Sequence, residues 1–236
     1  MEAMKCEGFR NRVHAGRCLA RQLTHLQDED PIVLALPRGG VVVGFEVASA
    51  LDAPLDIVTV RKIGAPFHRE YGIGALVDGD EPELLLDRDR LEMLGVTDEQ
   101  LRAVIEHELS EIHRRERLYR AGKPRIDLRD RVIIVVDDGI ATGSSIRAAL
   151  RGLRRMNPRR LVLAVPVAPP DTIESLRNEC DEIVCLLLPP GFRAVGEFYE
   201  DFEQTNDDEV IALLQESRRL QERSRRLVGS TNLQGG

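Results

Sequence analysis

The chain has 236 residues, of which 42% are hydrophobic and 31% charged, and it carries a net charge of -7 with both signs spread along its length. Those values exclude a disordered chain and leave enough apolar mass for one α/β core, while the acidic balance and the absence of Trp argue against a nucleic-acid partner. No apolar run approaches the roughly 18 residues that span a bilayer and no apolar N-terminal segment precedes a cleavage site, so no membrane partner is expected and a cytoplasmic location is.

Short β-branched apolar runs at 32–36, 56–60, 73–77, 132–136, 161–166 and 182–187, with a further short run at 84–86, predict strands. Amphipathic stretches at 9–26, 41–51, 98–120, 144–156, 171–178 and 207–227 predict helices between and after them. This alternation is the pattern of a three-layer α/β/α fold with a mostly parallel sheet. Thr97 and Asp171 are placed to cap helices, because their oxygens accept hydrogen bonds from the first unpaired N–H groups. The helix at 98–120 is long and charged, and is expected to project from the core or to serve a homodimer. The Arg-rich runs at 147–160 and 218–226 read as solvated helix faces. Cys6, Cys18, Cys180 and Cys185 form no C-x-x-C pair, and no set of residues has metal-ligand spacing, so no protein-held metal is expected.

Residues 131–145 are the most informative stretch: an apolar strand runs into Asp137 and Asp138, then into the small turn Gly139-Ile140-Ala141-Thr142-Gly143 and the helix opening at Ser144 and Ser145. In an open α/β sheet, ligands sit at the carboxyl edge of the strands, where this strand delivers its two acids. Two carboxylates there can accept hydrogen bonds from a vicinal diol. Gly143 lets the backbone approach a ligand, and Thr142, Ser144, Ser145 and the free amides of a helix start suit a phosphate. A diol and a phosphate side by side describe ribose 5-phosphate. Neither G-x-x-x-x-G-K-[ST] nor a helix-opening G-x-G-x-x-G occurs, which disfavours Walker-type and Rossmann-type nucleotide binding.

The string Val135-Val-Asp-Asp-Gly-Ile-Ala-Thr-Gly-Ser-Ser145 resembles the phosphoribosyl pyrophosphate signature of type I phosphoribosyltransferases, and the resemblance extends over about residues 30–200. It implies that family's mostly parallel α/β/α fold with a flexible loop and a small hood. The expected organisation is one domain over 1–228, with a core at 30–188, a hood at 189–206, a C-terminal helix at 207–227 and a disordered tail at 229–236. Leu36-Pro37-Arg38-Gly39-Gly40 resembles the family's pyrophosphate loop, in which backbone amides meet the leaving group. Arg61 and Lys62 stand where the family has cations facing pyrophosphate, followed by a Gly- and Pro-bracketed insert at 65–72 suited to a mobile lid, with Arg69 as a further leaving-group contact.

The function implied is transfer of a phosphoribosyl group to a small nitrogenous acceptor, with Mg2+ bound mainly through the substrate. Enzymes of the family that use 6-oxopurines carry an Asp where this chain has Ala141, whereas adenine phosphoribosyltransferases have Ala there and a Glu-Tyr-Gly string like Glu70-Tyr71-Gly72. That resemblance makes Glu70 the expected carrier of the acceptor's proton, with a solvated loop side chain as the other reading of the same residue. Phe192, Phe198 and Tyr199 are the aromatics expected to face a planar acceptor, with core packing as the other fate of such rings. The alternative is a non-catalytic regulator that binds phosphoribosyl pyrophosphate as a sensor.

Overall fold

The computed structural model describes residues 8–79 and 82–231. In chain order its first half contains α1 (Arg12–Gln22), β1 (Ile32–Ala35), α2 (Gly39–Leu51), β2 (Leu55–Ile57), β3 (Val60–Ala65), β4 (His68–Val77), β5 (Glu83–Leu86), α3 (Arg88–Leu94) and α4 (Asp98–Arg120). The second half contains β6 (Val132–Val136), α5 (Ser144–Arg155), β7 (Arg160–Val167), α6 (Pro170–Leu176), β8 (Glu182–Leu187) and α7 (Asp207–Thr231).

Among the described residues a parallel sheet runs in the order β2-β1-β6-β7-β8, and an antiparallel sheet runs in the order β3-β4-β5. All residues of β1 and β6 are buried because both faces of the parallel sheet are covered. Alternate residues divide between the layers. Val33, Ala35, Ile134, Val136, Val162 and Ala164 pack with Leu19 of α1, Val43 and Val47 of α2, and Val210 and Leu214 of α7. Ile32, Leu34, Ile133, Val135, Leu161 and Leu163 pack with Ile146, Leu150 and Leu153 of α5 and Ile173 and Leu176 of α6. Strands buried on both faces read as continuous apolar runs, which is why the core strands were legible in the sequence.

The run at 56–60, expected as one strand, serves two sheets. β2 ends at Ile57, and the chain leaves the parallel sheet through Val58, whose N–H donates to the Ala35 carbonyl at 3.0 Å, and Thr59, whose N–H donates to the Asp78 carboxylate at 2.8 Å. β3 then pairs antiparallel with β4, so the insert at 65–72 is the end of a hairpin with an exposed Phe67 rather than an irregular loop. Ile63, Ala65 and Ile73 alternate inward beneath Ile112 of α4. Arg90 of α3 ties the hairpin down by donating to the Gly72 carbonyl at 2.9 Å.

Three other expectations need correction. The helix at 9–26 begins only at Arg12, because Asn11 caps it by accepting from the His14 N–H, and it ends at Gln22 before a 3-10 turn at Thr24–Glu29. Asp171 is not a cap but lies in the first turn of α6, whose cap position is Pro169. The last helix continues to Thr231, so residues 229–231 of the expected tail are helical and 232–236 lie outside the described residues. Thr97 does cap α4, in a reciprocal box with Gln100. That helix lies along the molecule, with Ile112 on the antiparallel sheet and Tyr119 in the main core.

Candidate functional site

Strand order places the site. From β1 the chain passes through α2 to β2 on one side, and from β6 it passes through α5 to β7 on the other, so the order reverses between β1 and β6. Ligands bind outside the carboxyl ends of strands at such a switch point. Ala35 and Val136 are register partners, and the Leu36 N–H donates to the Val136 carbonyl at 2.9 Å, so the loops after β1 and β6 leave the sheet side by side.

The two loops touch closely. A Cβ on Gly39 would lie 1.9 Å from Oδ2 of Asp138, and one on Gly40 would lie 2.9 Å from Cα of Asp137. Only glycine permits this approach. The Pro-Arg-Gly-Gly loop and the acid pair are therefore in direct juxtaposition. Asp137 Oδ1 accepts from the Asp138 N–H at 2.8 Å, and burial together with the neighbouring Asp138 charge pushes the Asp137 carboxyl well above the usual carboxylate range.

Beyond the acids, the Ile140 N–H donates to the Val167 carbonyl at 2.9 Å and the Thr172 hydroxyl donates to the Ala141 carbonyl at 3.1 Å, fixing the turn to β7 and α6. Gly143 occupies the cap position of α5 with φ 73°, and no side chain caps that helix. The left-handed backbone suits glycine, and a Cβ there would also meet Thr172 at 2.7 Å. Ala141, Thr142, Ser144 and Ser145 are exposed around the helix start, with the Thr142 and Ser144 hydroxyls 3.3 Å apart. Uncapped amides, a helix dipole and three hydroxyls make an environment chemically suited to an anion such as a phosphate.

The other expected residues lie around this centre. Arg38 precedes α2 with its guanidinium 3.8 Å from Asp207 at the start of α7, and Asp207 also accepts from the Tyr119 hydroxyl at 2.6 Å. Burial pushes the Tyr119 phenol up to about 12. Arg61 donates to Glu108 of α4 at 2.6 Å, so its guanidinium is held by a partner the sequence did not suggest. Lys62 is exposed on the opposite face of β3, the face on which Val60 packs toward α5. Glu70 is exposed on β4, and the side chain of Arg69 lies outside the described residues.

In the hood, Phe192 and Phe198 are stacked with centroids 5.6 Å apart and half-buried. Tyr199 is buried between Phe9 and Phe202, and its hydroxyl donates to the backbone carbonyl of Asp138. Burial pushes its phenol upward. It supports the acid pair from below rather than presenting a free ring. Arg12 is a residue that sequence reasoning missed. It donates from Nε to Asp138 Oδ2 at 2.7 Å, and no motif or periodicity marks a contact between residues 126 positions apart.

Residues 83–203 match the family model of the phosphoribosyl transferase domain. The chain belongs to the phosphoribosyltransferase family. Its α/β architecture has a parallel central sheet, with residues 137–145 leaving β6 at the switch point. Two Mycobacterium tuberculosis proteins, from strains CDC 1551 and H37Rv and provisionally named as phosphoribosyl transferases, are 43% identical to it over 211 residues. That alignment covers 89% of this chain and 47% of each relative, so the chain spans about half the length of the curated relatives it matches. The crystal structure of TT1426 from Thermus thermophilus is 42% identical, with a TM-score of 0.77, over 89% of this chain and 98% of that one. Among the described residues no helix is long and apolar enough to cross a membrane.

Proposed function

We propose that this phosphoribosyltransferase moves the 5-phosphoribosyl group of phosphoribosyl pyrophosphate onto a nucleobase nitrogen, releasing pyrophosphate, in the cytoplasm. The observation that carries this reading is the adjacency of Asp137 and Asp138 to the uncapped, hydroxyl-lined start of α5 at the topological switch point. The acids take the ribose diol and the helix start takes the 5-phosphate. The amides of Gly39 and Gly40, with the cations of Arg38 and Lys62, take the leaving pyrophosphate. Arg61 joins them on releasing Glu108, and Arg69 is a further contact at the hairpin.

Among the described residues no group of three or more His, Cys, Asp and Glu could hold a metal. Asp137 and Asp138, beside the leaving-group loop, would suit a Mg2+ that arrives with the donor, and such an ion would supply charge neutralisation for the leaving group. As the anomeric carbon loses its leaving group it takes on oxocarbenium character, which the nearby carboxylates favour electrostatically. Ala141 stands where 6-oxopurine enzymes of the family carry a proton-accepting Asp, which supports an acceptor recognised in the manner of adenine. Phe192 and Phe198 supply apolar ring surface for such a base, and Glu70 takes its proton when the hairpin approaches.

The test follows pyrophosphate release from phosphoribosyl pyrophosphate and Mg2+ with a panel of bases. Release with one base supports the transferase. Tight donor binding without release by any base would replace it with the regulator reading. With the accepted base, Glu70→Gln should reduce turnover by roughly a hundredfold while leaving donor affinity within about twofold. Unchanged turnover would remove Glu70 from the reaction.

A further inference from the structure

The acid pair has an unassigned partner. Arg12 lies in the first turn of α1, outside the matched 83–203 segment, yet its Nε donates to Asp138 Oδ2 at 2.7 Å, and side-chain exposures are 12% for Arg12 and 16% for Asp138. The guanidinium is itself held in place. It stacks 3.8 Å over the Phe202 ring, and its Nη1 donates to the Glu203 carbonyl at 2.6 Å. The backbone around it is paired to the hood: the Phe9 N–H donates to the Phe198 carbonyl at 2.7 Å, and the Glu200 and Asp201 N–H groups donate to the Phe9 and Arg10 carbonyls at 2.9 Å. Residues 8–12 and 198–203 thus form one unit beneath Asp138.

We propose that Arg12 is a positioning residue of the donor site, orienting Asp138 so that its second oxygen meets the ribose diol. The inference rests on the reading of Asp137 and Asp138 as the diol contacts. Asp138 Oδ2 is confined between Arg12 and Gly39, where a Cβ would approach it to 1.9 Å, and its main-chain carbonyl is held by the Tyr199 hydroxyl. One oxygen is thereby taken and the carboxylate cannot rotate freely, which leaves Oδ1 with a set direction. A preoriented acceptor loses little entropy when the sugar binds. The guanidinium also offsets repulsion between two adjacent carboxylates that must face one ligand. A partly buried, charge-assisted hydrogen bond of this kind is far stronger than an exposed surface pair.

The test compares ribose 5-phosphate with 2-deoxyribose 5-phosphate by titration calorimetry on the full chain, since the second sugar keeps the phosphate and lacks one hydroxyl of the diol. The protein should prefer ribose 5-phosphate by about tenfold. In Arg12→Met the preference should fall to about twofold while affinity for 2-deoxyribose 5-phosphate changes by less than about twofold, and Arg12→Lys should restore most of it. Phe202→Leu, which loosens the guanidinium without removing it, should weaken the preference in the same direction and carries the test should Arg12→Met fail to fold. Equal weakening of both sugars, or an intact preference in these variants, would overturn the role of Arg12. No preference in the unsubstituted protein would instead overturn the diol reading itself, an outcome seen without any variant.

Discussion

Asp137 is held in a state that opposes folding. Burial and the adjacent Asp138 charge raise its carboxyl well above its ordinary value near 3.8. For an acid the sign is clear: with the folded value above the unfolded one, the folded protein binds the extra proton, so stability is greatest below the unfolded value and falls as pH rises toward the folded one. Asp137→Asn should therefore raise thermal stability at neutral pH, by about 1 kcal/mol, and flatten that decline while abolishing donor binding. Melting curves between acid and neutral pH check it. At Gly39 the expected outcome is different in kind. Alanine there would drive a Cβ into Asp138 Oδ2, so Gly39→Ala should weaken donor binding by about tenfold or more and cost about 1–3 kcal/mol of stability, measured by calorimetry and denaturant unfolding. The residues from Asp137 to Ser145 were legible beforehand because one contiguous stretch holds the acids, the turn and the helix start. Arg12 was not legible, since its contact exists only once α1 and the hood meet.

The elements were read most faithfully where local chemistry and burial agree. Thr97 caps α4 through a reciprocal box with Gln100, a signature carried by four consecutive positions. Thr97→Ala should lower stability by about 1 kcal/mol, seen as a drop in melting temperature with no change in donor affinity. The hairpin of β3 and β4 was misread because its residues serve a second sheet. Within 57–60 the β-branched run Ile57-Val58-Thr59-Val60 is continuous, and nothing local marks the point where Thr59 turns away to bond Asp78. The start of α1 was misplaced for a similar reason: Phe9 has an apolar character suited to a helix, but it is spent on Tyr199 in the hood. The Arg-rich run of α5 forms the surface expected of it, with Arg147 and Arg151 on Glu179, Arg154 on Asp181 and Arg155 on Glu83.

Across the whole molecule the two sheets are joined by a buried ionic network. Arg120, at the end of α4, bonds Asp56 of β2 at 3.0 Å, Asp78 after β4 at 3.3 Å, Glu116 at 2.6 Å and the Ile57 carbonyl at 2.9 Å, and side-chain exposures are 6% for Arg120, 4% for Asp56 and 2% for Asp78. Burial raises the Asp78 carboxyl while Arg125 and Arg120 hold it down. Removing one partner of such a set leaves uncompensated buried charge, so Arg120→Met should destabilise the fold by about 3–5 kcal/mol at neutral pH. The loss should shrink as pH falls and Asp78 takes a proton, which denaturant unfolding at two pH values would reveal. A pH-independent loss would point to packing alone.

The amino-acid order by itself marked most of the helices and the core strands, because period and burial are written into neighbouring positions, but not α3 or the start of α1. It also marked the acid pair, the small turn and the helix start after β6, because those residues are contiguous. Only the tertiary structure decided which strands leave the parallel sheet, that Glu108 holds Arg61, and that Arg12 and Tyr199 brace Asp138. Those outcomes depend on contacts between residues far apart in the chain, whose energies arise only when packing brings the elements together and removes water from between them.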